Sequence, residues 1–293
     1  MENKVIIGHI AAFITVLIWG TTFISTKVLL KGFEPLEILF FRFVIGFVSL
    51  NIIYPKRLTI KDIRIEATFA AAGLCGICLY YLLENVSLTY TLASNVGVII
   101  SAAPLFTAIL SHIFVKDEEM LSCRFIVGFI TAMVGICLIG LNGNNFEVNP
   151  IGDILAFIAA VVWACYSLLT KKISSFGYNT IQATRRIFMY GIIFMIPLIF
   201  VFDFKCNFSE FIKPVYFANL LFLGLGASAL CFVTWNYAVK ILGAVKTSVY
   251  IYIVPVITIV TSVIVLKERI TFISIIGTAL TLTGMFISEG RKK

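Results

Sequence analysis

Five ionisable side chains fall within or beside long apolar stretches: Arg42, Glu84, His112, Arg185 and Arg186. A charge in such a stretch is costly unless it faces protein or water. Arg42 and Glu84 sit at similar depths from the ends of their stretches, which predicts an Arg42–Glu84 ion pair. The competing reading is that each snorkels to a polar boundary. Glu84 is the one acid clearly inside an apolar stretch, so it is the candidate carrier for a coupling proton. The materials for catalysis are sparse. There are two histidines, His9 and His112, with no nucleophile–base set or ligand set beside them. Cys75-Gly-Ile-Cys78 has redox or metal spacing, but no His or acid lies near it, so it reads as small hydrophobes in an apolar helix. No GxxxxGK[ST] loop occurs, so ATP is not expected to act through this chain. No cofactor, metal or enzymatic activity is expected.

A second group of residues is suited to binding rather than to bond-making. Trp19 stands about 20 Å into its apolar stretch at 1.5 Å per residue, too deep for an interfacial belt in a hydrocarbon layer about 30 Å thick. A deep indole needs a partner for its N–H, or a ligand. Thr21 and Thr22 adjoin it, as does Gly20. The wider set of candidate lining residues is Trp19, Thr22, Tyr80, Tyr81, Glu84, Asn85, Asn95, Ser101, Trp163, Tyr166, Trp235, Asn236, Tyr250 and Tyr252. Aromatic faces with a few amides suit an amphipathic solute and can hold a cation over a ring. The plainer alternative is that these rings pack between helices or anchor helix ends. Pro104 and Pro255 lie near the middle of their stretches and each removes a backbone hydrogen bond. Each is read as a hinge, a structural kink being the compatible alternative.

The elements that would position these residues follow from composition. The hydrophobic share is 60% and the charged share 13%, against roughly 45–50% and 25% in soluble domains. A water-soluble fold of 293 residues has too much surface to hide that many apolar side chains. Apolar runs near twenty residues long read as membrane spans. They fall at 6–28, 34–54, 67–88, 91–115, 122–141, 151–171, 179–202, 215–238, 247–266 and 271–288. The net charge of +8 comes from basic residues scattered between these runs, the pattern of positive-inside topology rather than of nucleic-acid binding. Placing both termini in the cytoplasm puts 14 of the 23 Lys and Arg on that side. The first run lacks a small-residue cleavage site and reads as a retained span.

An internal repeat runs through the chain. A shift of 144 carries Trp19 onto Trp163 and Arg42 onto Arg186. A shift of 151 carries Gly73 onto Gly224, Asn85 onto Asn236, Pro104 onto Pro255 and Lys116 onto Lys267. A shift of 149 carries Gly128 onto Gly277 and Gly135 onto Gly284. The expected fold is therefore all-α and integral to the membrane, with ten transmembrane helices in two five-helix repeats, residues 1–145 and 146–293. Because five crossings reverse the chain's side, the second repeat must be inverted, the arrangement of many secondary transporters. The halves differ at Thr22/Tyr166, Asn95/Lys246 and Glu84/Trp235, which predicts an asymmetric cavity.

Trp19-Gly20-Thr21-Thr22-Phe23, Phe41-Arg42-Phe43 and Asn95…Ser101-Ala102-Ala103-Pro104-Leu105 together resemble the drug/metabolite transporter superfamily, of the EamA type, over nearly the whole chain. The resemblance implies a ten-helix transporter of small organic molecules, often an exporter of amino acids or related metabolites, with spans 1, 3, 4, 6, 8 and 9 around a central cavity. The partners expected are a small-molecule substrate and the lipid bilayer of a cell membrane, with a coupling proton to be tested and no nucleic acid. Monomer and homodimer both remain open. The compact size suits a bacterial inner membrane. A channel would need a filter loop or a continuous polar lining, and neither is apparent.

Overall fold

The computed structural model describes residues 2–91, 93–114, 122–140, 149–201, 204–205, 208–266 and 271–289. The helices are α1 (Glu2–Leu29), α2 (Pro35–Ile53), α3 (Ile63–Tyr90), α4 (Ala93–Ile100), α5 (Ala103–Phe114), α6 (Cys123–Gly140), α7 (Pro150–Ser175) and α8 (Thr180–Ile199). They continue as the short α9 (Phe208–Phe211), α10 (Pro214–Leu242), α11 (Ala244–Ser248), α12 (Ile253–Leu266) and α13 (Phe272–Glu289). Among the described residues there is no strand. Among the described residues, seven helical stretches are long and apolar enough to cross a bilayer, two of them, Val96–Phe114 and Ala244–Thr261, running from α4 into α5 and from α11 into α12; two shorter apolar helices, Cys123–Ile139 and Ile275–Ser288, accompany them. The α8 helix carries Arg185 and Arg186 in its first two turns.

The helix starts are written locally. Pro35 opens α2, where its missing N–H costs nothing, and the Glu34 N–H donates to Glu37 Oε2 at 2.8 Å. Asn149 caps α7 ahead of Pro150, and Asn179 caps α8, each satisfying an N–H that has no partner within its helix. Between α10 and α11 the chain turns at Gly243, with φ of 91°, a conformation that glycine adopts without strain.

The apolar runs near Pro104 and Pro255 do not bend at the proline; the helix stops before it. The α4 helix ends at Ile100, tight i→i+3 hydrogen bonds from Ala102 to Ile99 and from Leu105 to Ala102 carry the chain across the break, and Pro104 falls in the first turn of α5. In the same way a 3₁₀ turn, Val249–Tyr252, precedes Pro255 in the first turn of α12. A first-turn proline loses no intrahelical bond, so the sequence can place two whole helices end to end.

Packing is reciprocal between the halves. The α1 helix lies against α10 and α12, while α7 lies against α3 and α5. The α6 and α13 helices pack along their glycines. A Cβ built on Gly135 would stand 2.5 Å from the Gly277 carbonyl oxygen, and one on Gly128 would stand 2.7 Å from that of Gly284. Small residues allow this close backbone approach where no hydrophobic force drives helices together. Large side chains face outward: Ile130 on α6 is 55% exposed, Ile154 on α7 58% and Ile275 on α13 57%. In water such faces would associate; in lipid they are solvated. The protein is a multi-pass membrane protein.

Two connections mark opposite ends of α2, about 28 Å apart for its 19 residues. At its last turn, the Tyr54 and Lys56 carbonyls each accept from the Arg185 guanidinium at 2.6 Å. At its first turn, the Lys205 N–H donates to Glu37 Oε1 at 2.9 Å, and Phe204 packs on Phe40 and Phe41.

Candidate functional site

Between α1, α3, α7 and α10 the buried interior is built of aromatic rings. Trp19 meets Trp163 edge to face at 5.2 Å between centroids, and meets Trp235 at 5.0 Å. Trp163 continues to Tyr80 at 4.7 Å and to Tyr166 at 5.0 Å. Tyr80 and Tyr81 touch at 4.7 Å, and Tyr81 rests on Phe43 at 5.2 Å. Phe232 is the hub, in ring contact with Trp19, Phe43, Tyr81, Trp163, Tyr166 and Phe188. Offset and edge-on aromatic pairs each contribute about 0.5–1.5 kcal/mol beyond burial, so the cluster is also a structural keystone.

Its polar groups divide into satisfied and unsatisfied. Trp19 Nε1–H donates to the Ala227 carbonyl at 3.0 Å. The Tyr166 hydroxyl donates to Asn236 Oδ1 at 2.8 Å, and Asn236 Nδ2–H donates to Thr184 Oγ1 at 3.0 Å. By contrast Trp163 Nε1, Trp235 Nε1, Arg42 Nη2, Asn85 Oδ1 and the Tyr252 hydroxyl are buried without a hydrogen-bond partner. Buried polar atoms are nearly always paired in native structures, so the three that lie within the ring cluster, on Trp163, Trp235 and Arg42, mark it as a place where a ligand can contribute.

Arg42 and Glu84 do not form the expected ion pair. Arg42 Nε–H donates to Ser228 Oγ at 3.0 Å, and its Cζ lies 4.4 Å from the Tyr81 ring centroid. Glu84 interacts with the Tyr80 hydroxyl and lies within the field of Arg42 without forming an ion pair to it. Equal depth along two helices does not fix which faces meet, and the fork of Arg42 turns toward α10. The arginines of α8 serve the start of α3 and the connection before it instead. Arg186 pairs with Glu66 at 2.6 Å, with the Tyr190 hydroxyl also on that carboxylate, while Arg185 holds the backbone at 54–56. His112 is exposed at the end of α5.

The structure gathers Trp19, Tyr81, Trp163, Tyr166, Trp235 and Asn236 into one cluster. Others stand apart from it. Thr22 Oγ1 is turned back onto the Trp19 carbonyl, and Ser101 Oγ onto the Gly97 carbonyl. Asn85 Nδ2–H donates to the Pro35 carbonyl, and the Tyr250 hydroxyl bonds His9 Nδ1 at 2.7 Å. The Asn95 side chain, Lys116 and Lys267 lie outside the described residues. Phe232, Phe188, Ser228 and Thr184 belong to the site and were not anticipated. A small cleft of about 20 Å³ opens at the far end of the cluster, lined by Thr170, Tyr178, Asn236 and Lys240 among others. A larger one of about 280 Å³ sits at the opposite end, between Lys27, Lys31, Glu34 and Thr89.

Comparison with known proteins agrees with this architecture. Residues 6–141 and, separately, 150–289 match the model of the EamA-like transporter family. An uncharacterized transporter of Archaeoglobus fulgidus is 29% identical over 295 residues, covering 97% of this chain and 98% of that one. A probable terminal-alkyne amino-acid exporter of Streptantibioticus cattleyicolor is 26% identical over 288 residues, covering 96% and 93%. A solved crystal structure superposes with a TM-score of 0.76 at 17% identity, over 98% of this chain and 96% of the other; it shares the fold.

Proposed function

Because the chain belongs to the EamA-like transporter family, we propose that it is a secondary transporter of ten spans in two inverted five-helix repeats, exporting small amphipathic metabolites such as amino acids. The observation that carries this reading is the reciprocal packing of matched helices. Gly128 lies on Gly284 and Gly135 on Gly277, so exchanging the repeat partners Gly128/Gly277 and Gly135/Gly284 turns one contact into the other. Helices related in this way, running antiparallel, are what an odd-numbered repeat inserted upside down would produce. The separate family matches to the two halves support the division near residue 145, and the amino-acid exporter among the relatives supports the substrate class.

Alternating access needs elements with two arrangements. Two features stand at matched positions and suit that role. The helix breaks before Pro104 and Pro255 are one pair. The other is a pair of π-helical segments, Leu74–Leu79 in α3 and Phe222–Leu230 in α10; a shift of 151 carries the first into the second. Such i→i+5 stretches are rare and concentrate at functional sites. The Trp19 N–H bonds the Ala227 carbonyl inside the second π-helical segment, and Glu84 beside Tyr80 is the candidate proton carrier. Both termini are placed in the cytoplasm.

Reconstitution into liposomes tests the reading. A carrier gives saturable uptake and counterflow, in which unlabelled solute on one side drives labelled solute from the other. Uptake that rises linearly with concentration and shows no counterflow contradicts alternating access.

A further inference from the structure

Arg42 is 1% exposed and incompletely satisfied. Two contacts fix its guanidinium: Nε–H donates to Ser228 Oγ at 3.0 Å, and the plane lies over Tyr81, with Cζ 4.4 Å from the ring centroid and 5.3 Å from that of Phe43. Nη2 has no partner, and Glu84 does not supply one. A guanidinium stays charged under all ordinary conditions, so this group cannot relieve its burial by releasing a proton. Trp163 and Trp235, in the same ring cluster, add two more buried N–H groups without acceptors. The region has a surplus of donors held in fixed directions on aromatic walls. A donor surplus in an apolar setting favours an acceptor-bearing anion over a cation.

We propose that Arg42 is the anchor for a carboxylate on the transported solute, with the solute's apolar body against Tyr81 and Phe232. The assignment rests on the transporter reading and narrows it to small organic carboxylates. Ser228 and Tyr81 act as positioning residues, holding the guanidinium so that its unpartnered Nη2 can donate to a carboxylate oxygen.

Three probes separate the possibilities: L-phenylalanine, 3-phenylpropionate and phenethylamine. They share one ring, and only the last lacks a carboxylate. Binding to the purified protein is read by thermal shift and by quenching of its tryptophans, and transport by counterflow in liposomes. The two carboxylates are expected to bind about 10- to 100-fold more tightly than phenethylamine, the range of one charge-assisted contact. Arg42→Gln should abolish that preference. Arg42→Lys should restore part of it, keeping the charge but losing the fork. The wild-type comparison stands even if Arg42→Gln fails to fold. Phenethylamine bound or moved as well as the two acids overturns the Arg42 assignment and leaves the transporter reading intact. A wild-type protein that moves no solute of any class overturns both.

Discussion

Trp19 and Trp163 occupy matched positions in the two halves of the sequence, and their indoles touch, 5.2 Å between centroids with planes at 81°. In the proposed inverted arrangement, matched residues meet where the axis that exchanges the halves passes, and this contact would mark it. The pair is nevertheless unequal. The Trp19 N–H is spent on the Ala227 carbonyl, and the Trp163 N–H is free.

That inequality predicts different costs for the same substitution. Trp19→Phe removes a buried hydrogen bond to the Ala227 carbonyl and should lower stability by about 0.5–1.5 kcal/mol beyond the lost ring area. Trp163→Phe loses ring area but no protein hydrogen bond and should cost less. Thermal unfolding in detergent without added solute measures both. Equal losses would mean that the Trp163 N–H is bonded within the protein. Solute binding should rank the other way, with Trp163→Phe the more damaging.

How much of this was legible follows from residue statistics and geometry. The chain has 3 Trp, and two of them matching in register at depth is a strong signal. It also has 27 Phe, so nothing in the sequence separates Phe232, the hub of the rings, from a phenylalanine facing lipid. The prolines marked where the helix is interrupted, yet hydropathy runs unbroken through Ser101-Ala102, and a kink reads the same as a break. Depth along a helix was readable for Arg42 and Glu84; rotation about the helix axis was not, and rotation sends Arg42 to Ser228.

Glycine substitutions test the α6–α13 seam. Gly135→Ala would place a methyl 2.5 Å from the Gly277 oxygen and the Thr281 nitrogen, both backbone atoms that cannot swing aside. A loss of about 1–3 kcal/mol is expected from overpacking. Gly226→Ala, whose methyl would meet only Phe222 at 3.6 Å, is the matched control and should be close to neutral. A silent Gly135→Ala in a thermal-unfolding assay would mean that the helices stand farther apart than described.

The polar clamp at the end of α2 gives a third outcome. Arg185→Ala removes two donors from the Tyr54 and Lys56 carbonyls and should free the 54–57 connection, seen as faster proteolysis or hydrogen exchange there. Glu66→Gln breaks a pair that is 28% and 17% exposed, where solvent screening leaves at most about 1 kcal/mol. The ordering, Arg185→Ala more damaging than Glu66→Gln, is the prediction; its reversal would shift the anchoring role to Arg186.

The inverted arrangement makes one demand that no local measurement can meet. The connection at 54–57 and the residues Lys205 and Phe211 sit at opposite ends of α2, so they must lie on opposite faces of the bilayer. Lys61→Cys and Lys213→Cys, each exposed and introduced singly into a cysteine-free chain, should react with a membrane-impermeant maleimide from opposite sides. With both termini inside, Lys213→Cys is labelled in intact cells and Lys61→Cys only in inverted vesicles. The reverse pattern would keep the duplicated architecture and turn the whole protein over. Labelling of both variants from one side would break it, because then α2 does not cross and the matched helices could not be related by inversion.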